Sequence, residues 1–321
     1  MILALCAVIA GGITTWFVTR DDSPDFCRGL AKDSRVQQLV AAAHQTDPDC
    51  AALGRVLKKA TMQGEEEKHS IKQAQAMKGT LLAVDDHMQR SGIASLNEEF
   101  SSPLADALVE YSIDVYKILA PGSFDYSKRD SPSDPPWEDE NGAHVSIFQK
   151  PLMRVIRGLS ATPSAYAELR LGVTRSAAHA LATTPESAIN ADGSLGPSGP
   201  KVNAWPLGAL DVIADNVTDN LSKERAAEWK NRVFADLTQE TSLNFPSYGN
   251  GAEQNIVVTW KNLLKSTGSD HVVTHLHEQG PVLVKAWGKG IQLSEKRISL
   301  FADEARFSAE SSRGTMSHYL R

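Results

Sequence analysis

The sequence lacks the surface charge that nucleic-acid-binding proteins use. Its formal net charge is −6 at pH 7, and no Lys/Arg cluster or basic patch interleaved with aromatic residues occurs along its 321 residues. A nucleic-acid-binding surface needs a basic stripe or patch, so we expect no nucleic-acid partner. The rest of the composition, 41% hydrophobic and 22% charged, is ordinary for a globular protein with one large core or two smaller ones.

Two well-known catalytic and nucleotide-binding motifs are missing as well. The glycines of segment 287–290 do not have the G-x-x-x-x-G-K-[S/T] spacing of a phosphate loop, and no G-x-S-x-G elbow is present. The adjacent Asp85, Asp86 and His87 would point in different directions from a helix, so we expect them on a solvated face. None of these patterns therefore predicts an enzyme.

Cysteine is scarce, with only Cys6, Cys27 and Cys50 in the chain. Cys6 belongs to an apolar segment, which leaves Cys27 and Cys50 as the pair in the body. Such a pair is most simply a disulfide outside the cytoplasm, and two free thiols inside it. We predict the disulfide, since neither cysteine has a nearby His as a nucleophile would. A helix that starts at Asp33 or Ser34 lets the chain run back and brings the two together.

The N-terminal run Ile2–Val18 contains no charged residue. As a helix, these roughly 17 residues span about 26 Å, slightly less than a hydrocarbon core about 30 Å thick. Trp16 lies at the far end, where an aromatic ring favours the headgroup level, and Arg20 can snorkel beyond it. We predict an uncleaved transmembrane anchor over 1–20, which makes the chain a single-pass protein of the cell membrane.

Alternatives to this anchor stay open, as does its orientation. A cleaved signal peptide would have a basic start and a small-residue cleavage site, neither of which is present, and the segment could also be a soluble buried one. The missing basic flank also fits a start codon upstream of Met1. Arg20, Arg28 and Lys32 favour a cytoplasmic body by the positive-inside rule. The predicted disulfide favours an extracytoplasmic body, which is our prediction.

Beyond residue 20, nearly every long segment has helical periodicity. Ser102-Pro103 is typical of a helix start, and Leu104, Leu108 and Tyr111 follow at spacings of three and four. We predict an all-α fold, with helical regions over 21–125 and 146–321 around two long loops. The loops are 126–145, rich in Pro, Asp and Ser, and the flexible, Gly/Ser/Pro-rich 190–205. A short strand competes with helix only at 281–293.

Three of the nine histidines fall within residues 271–277. On a helix, His271 and His275 would share a face at a spacing that can bind one metal ion, with Glu278 as a third ligand. Val272 stands where the helix of a zinc protease carries its catalytic Glu. The alternative is a polar helix end, with histidines near the negative C-terminus. We predict no cofactor and keep zinc at these three positions as an alternative hypothesis.

Three helical blocks, 101–119, 151–181 and 207–234, carry short recurring motifs. The motif positions are Tyr111, Asp114 and Val115; Pro163, Ala165, Tyr166 and Leu169; and Ala209, Leu210 and Asp211. These blocks resemble a family of large helical proteins of actinomycetes that occur beside type VII secretion genes and polymorphic toxins. The resemblance implies an envelope-associated, non-enzymatic protein, and it assigns no catalytic residue.

These features together lead us to expect a membrane-anchored helical interaction or structural protein of a bacterial cell envelope, associated with secretion. Its partners would be the membrane, through the N-terminal helix, and other proteins. Two alternatives are a metal-dependent hydrolase that uses the 270–278 histidine cluster, and a toxin-like protein that inserts into membranes.

Overall fold

The structure, a computed structural model, describes residues 23–62, 68–185, 189, 200–239 and 251–321. It confirms the all-α prediction, since the elements of this part of the chain are helices and one small two-stranded sheet. The predicted membrane anchor at 1–20 lies outside the described residues. Among the helices that the structure does describe, none is both long enough and apolar enough to cross a bilayer.

The described residues of the first half form a series of helices. Their bounds are α1 (Ser23–Ala31), α2 (Ser34–Ala42), α3 (Cys50–Thr61), α4 (Ile71–Ser91), α5 (Glu98–Glu110), α6 (Ser112–Leu119) and α7 (Phe124–Ser127). Acidic side chains cap two of the starts: Asp33 accepts a hydrogen bond from the backbone N–H of Arg35, and Asp49 from that of Ala52. Each cap satisfies a backbone donor that the first helical turn leaves unpaired.

The predicted disulfide is confirmed. Cys27 in α1 is bonded to Cys50, the first residue of α3, with the two Cα atoms 5.2 Å apart. The second helix begins at Ser34 behind its Asp33 cap, which lets α1 lie beside α3. Both cysteines are buried, so the bond lies within the hydrophobic core.

Helix α4 runs through the middle of this half and packs against α1, α2, α3 and α8. It begins with a capping box, in which the side chains of Ser70 and Gln73 bond each other's backbone N–H. The predicted solvated face is wrong for Asp85, which is 4% exposed and accepts hydrogen bonds from the guanidinium of Arg154. Asp86 is exposed, as expected, and pairs with Arg35.

The predicted loop 126–145 is wrong in its C-terminal part, which forms a β-hairpin. Strand β1 (Trp137–Asp139) pairs antiparallel with β2 (Gly142–His144). The backbone N–H of Ala143 donates to the carbonyl of His69 just before α4. The buried ammonium of Lys78 donates to the carbonyls of Arg129 and Ser131, and so fixes the irregular part of the segment. Contacts distant in sequence therefore order a segment with no period of its own.

The regular elements that the structure describes in the second half are helical. Its elements are α8 (Gln149–Leu159), α9 (Pro163–Ala182), α10 (Pro200–Asn203), α11 (Trp205–Asp219), α12 (Lys223–Thr238), α13 (Gly251–Lys265), α14 (Val272–His277), α15 (Gln279–Gly290), α16 (Glu295–Met316), and the 3-10 turns Ser269–His271 and Ser317–Leu320. Of the predicted flexible loop 190–205, residues 190–199 lie outside the described part, and the prediction is wrong for the helical residues of α10 and α11. Helix also prevails over strand at 281–290.

The two predicted helical regions share one hydrophobic core, because α4 packs on α8 and α5 packs on α9. A fully buried ion pair lies in the second region: Arg170 Nη1 of α9 is 2.6 Å from Asp211 Oδ1 of α11. The same guanidinium donates to the side chain of Gln279 and to the carbonyl of Leu276. Since a buried charge is tolerated only when it is paired and hydrogen-bonded, this set fixes how α9, α11 and α15 pack.

Candidate binding cleft

The structure places the three predicted zinc ligands before, within and after the short helix α14. His271 ends the exposed 3-10 turn, His275 is half-buried in α14, and Glu278 lies between α14 and α15. Glu278 forms an ion pair with Arg306 of α16, with Oε2 3.2 Å from Nη2. Nearby, His277 Nε2 lies 3.1 Å from Asp215 Oδ1, so His277 also has an acidic partner within the protein.

Throughout the described ranges, no group of three or more His, Cys, Asp or Glu side chains is placed to hold a metal ion. His271, His275 and Glu278, all of which the structure describes, are not part of such a group. The periodicity argument put the two histidines on one helix, but the helix begins at Val272, after the first of them.

An open cleft of about 580 Å³ lies where the first half of the chain meets the second. Its walls come from four places: the end of α6 at Lys117 and Ile118, the turn and short helix at 120–127, the start of α8 at 146–151, and the C-terminal 3-10 turn at Tyr319. Gln149 holds two of these together, since its side-chain amide donates to the carbonyl of Ile118. The volume is within the range of clefts that bind small ligands or short peptide segments.

Two large aromatic side chains stand in water beside this cleft. Phe148, in its lining, is 45% exposed, and Phe124 on the short helix α7 is 80% exposed. Isolated exposed apolar residues are common, but apolar surface grouped around a concavity marks an interaction site. The lining has further apolar surface, which comes from Pro121, Pro151 and Tyr319.

Tyr126 joins the cleft to a buried polar cluster behind it. The tyrosine lines the cleft, and its hydroxyl donates to Asp114 Oδ1 at 2.7 Å. The same carboxylate lies 2.8 Å from His144 Nδ1 and accepts the backbone N–H of Val145 through its other oxygen. On its far side, His144 Nε2 is 3.0 Å from Asp139 of the hairpin.

The charges of this cluster stabilise one another. Burial by itself lowers the pKa of His144, but the hydrogen bonds and charges of Asp114 and Asp139 outweigh that effect and raise the pKa to about 9. His144 is therefore an imidazolium cation at neutral pH. Burial and the neighbouring Asp114 carboxylate raise the pKa of Tyr126 far above its usual value, so its hydroxyl keeps its proton.

The cluster has the residue types of an acid/base site, but none of its groups is free to act as a general acid or base. A general base must be unprotonated near neutral pH and within reach of substrate, whereas His144 holds its proton between two carboxylates. Asp114 is 3% exposed and already accepts three hydrogen bonds. What the arrangement does is hold the hairpin and Tyr126 in place as the rear wall of the cleft.

Two lysines line the cleft. Lys117 of α6 and Lys150 of α8 are exposed, and within the described chain neither forms an ion pair or a side-chain hydrogen bond. The nearby Lys128 and Arg129 differ, since both pair with Asp125. The cleft therefore combines an apolar lining with two available positive charges.

Sequence reasoning missed this cleft because its lining comes from separate parts of the chain, and only Tyr126, Ser127 and Asp130 of it lie in the predicted loop 126–145. Of its polar support, Asp114 did stand out, as a position of the family motif, and the structure shows it buried at the centre of the cluster. His144 and Trp137 gave a further signal, since both occur in an otherwise polar, proline-rich stretch. The ring of Trp137 packs edge-on against Tyr126, with centroids 4.8 Å apart.

Comparison of the chain with protein-family models, with curated proteins and with solved structures finds no match. The functional interpretation therefore depends on the geometry of the cleft.

Proposed function

We propose that this chain is a non-enzymatic interaction protein of a bacterial cell envelope, tethered to the membrane by residues 1–20, with its helical body outside the cytoplasm. The body works through protein contacts, and the cleft between α6, α7, α8 and the C-terminal turn is its docking site. An association with secretion, which the family resemblance implies, is part of this proposal.

The observation that carries the proposal is the contrast between the lining of the cleft and the groups behind it. Phe148 leaves apolar surface exposed in the lining, as binding surfaces do, and Phe124 on the short helix α7 is exposed as well. The titratable groups at the rear, Asp114 and His144, are bonded to each other and not directed at a substrate. The cleft is thus equipped to bind and not to carry out acid/base chemistry.

The disulfide supports the proposed compartment. Cys27 and Cys50 are joined, and disulfides persist in oxidising compartments and are rare in the cytoplasm. The charges that flank the apolar segment favour the opposite orientation. We give the disulfide more weight, since a stable covalent bond needs an oxidising environment whereas the charge rule has exceptions.

In-cell photo-crosslinking tests the docking function. A photoreactive phenylalanine analogue at position 148 should give a discrete cross-linked product, and the same analogue at position 307 should not. Phe307 is the matched control, because it is 65% exposed on α16 and is not part of the cleft lining. The product should disappear in a Phe124→Glu background. Equal products at both positions, or none at position 148, would contradict the proposal.

A further inference from the structure

We propose that the occupant of the cleft is a short acidic segment of a partner protein, with an aromatic side chain between its carboxylates. This inference rests on the proposed docking function and names the chemistry of the partner.

The charge of the cleft is the first argument. Lys117 and Lys150 reach it from different helices, and neither is neutralised within the described part of the chain. Of the described lining residues, Asp130 is the acidic one, and it faces the buried ammonium of Lys78, to which it is electrostatically coupled. Two exposed lysines thus stay available for carboxylates from outside, in a protein whose net charge is −6.

The size and lining of the cleft are the second argument. About 580 Å³ accommodates a few side chains of an extended segment and is too small for a folded domain. Phe148 and Tyr319 offer ring faces and edges, and Pro121 offers a flat aliphatic surface. An aromatic side chain gains most from such walls, because it buries a large apolar area and packs edge-to-face on neighbouring rings.

Binding of labelled peptides to the full chain in phosphatidylcholine nanodiscs tests the inference by fluorescence anisotropy. Three probes are needed: a short peptide with one phenylalanine flanked by glutamates, the same peptide with lysines for glutamates, and the acidic peptide with alanine for phenylalanine. We expect the first probe to bind at least about tenfold more tightly than either of the others.

A charge-reversal pair locates the binding. Lys117→Glu combined with Lys150→Glu should abolish binding of the acidic probe and strengthen binding of the basic one. Lys285→Glu combined with Lys289→Glu is the matched control, since both lysines are exposed on α15 and the charge change is identical. The control pair should leave the preference for the acidic probe unchanged.

The other outcomes separate this inference from the proposed function. Equal binding of acidic and basic probes, unaffected by the cleft variants, would overturn the acidic partner and leave docking intact. Displacement of the acidic probe by soluble short-chain phosphatidylglycerol that itself binds more tightly would identify a lipid occupant instead. If no probe binds while position 148 still cross-links in cells, only the inference fails; if the cross-link is absent too, both fail.

Discussion

At the scale of single residues, the imidazolium of His144 decides whether the rear wall of the cleft stays in place. It joins Asp114 of α6 to Asp139 of the hairpin through two ion pairs. The pKa of His144, raised from 6.5 to about 9, means that the folded state binds this proton more tightly than the unfolded chain does.

The contribution of His144 to stability should therefore depend on pH. Because its pKa is raised on folding, the contribution is complete below about pH 6.5 and is lost as the pH rises through about 9. A shift of this size corresponds to about 3 kcal/mol. We expect the difference in unfolding free energy between the wild type and His144→Gln to fall by about that amount between about pH 6 and pH 10. Urea unfolding across this range measures it, and a constant difference would contradict the ion-pair assignment.

The neighbours Asp85 and Asp86 provide a second test, in which the substitution is the same and the surroundings differ. Asp85→Ala leaves the half-buried Arg154 without its carboxylate, so we expect a loss of about 3 kcal/mol of unfolding free energy. Asp86→Ala removes an exposed carboxylate from Arg35, which keeps Asp33, and should cost less than about 1 kcal/mol. Chemical denaturation at neutral pH gives both values. Equal losses of unfolding free energy in the two variants would contradict the expectation that burial makes the Asp85 ion pair more important for stability.

Asp85 also shows why the sequence could not predict everything at this scale. The sequence pattern correctly put Asp86 on the solvated side of the helix, but it could not reveal that the side chain of Asp85 faces α8. The partner, Arg154, is 69 positions further along the chain. The same holds for Asp114, whose partners His144 and Val145 lie about 30 positions away. Buried polar pairs between distant segments leave no local pattern.

At the scale of elements, the helices were predictable and the hairpin was not. Apolar residues three and four apart indicated the long helices, but the start predicted at Ser102-Pro103 is wrong, since α5 begins at Glu98 and Pro103 lies inside it. The hairpin strands have three residues each, too short for an alternating pattern to be recognised. They are ordered by contacts outside themselves, including the ring of Trp137, which lies 4.8 Å below the guanidinium of Arg129.

Gly142 should be the residue on which the hairpin most depends. Its φ of 116° is a conformation that residues with a side chain rarely adopt, and an added Cβ would lie 3.0 Å from the Cβ of Lys68. We expect Gly142→Ala to destabilise the protein by about 2 kcal/mol and to weaken binding at the cleft. Gly314→Ala in α16 is the control: its Cβ would meet nothing, and higher helix propensity should stabilise the protein by about 1 kcal/mol.

Thermal unfolding of the two alanine variants gives the comparison, and an NMR titration of His144 reports the state of the hairpin independently. A Gly142→Ala variant as stable as the wild type, with an unchanged His144 titration, would contradict this account of the element.

At the scale of the whole molecule, one core runs through both helical regions, so the cleft between them is part of a single packed body. The sequence suggested two regions because the segment 126–145 interrupts the periodicity. Packing of α5 on α9 and of α4 on α8 joins them. The walls of the cleft come from both regions, and this is why no single stretch of sequence could reveal the site.

The orientation of this body in the envelope is the remaining prediction, and a single exposed cysteine tests it. Ser266 is exposed after α13, and Cys27 and Cys50 are bonded to each other and cannot react. In a Cys6→Ser background, Ser266→Cys should therefore be the one site open to a maleimide. We expect an impermeant maleimide to label it on intact cells as fully as a permeant one does, because the disulfide places the body in an oxidising compartment. Labelling by the impermeant reagent only after lysis would place the body in the cytoplasm, as the charges of Arg20, Arg28 and Lys32 favour. The disulfide would then lie in a reducing compartment, which contradicts the proposed orientation.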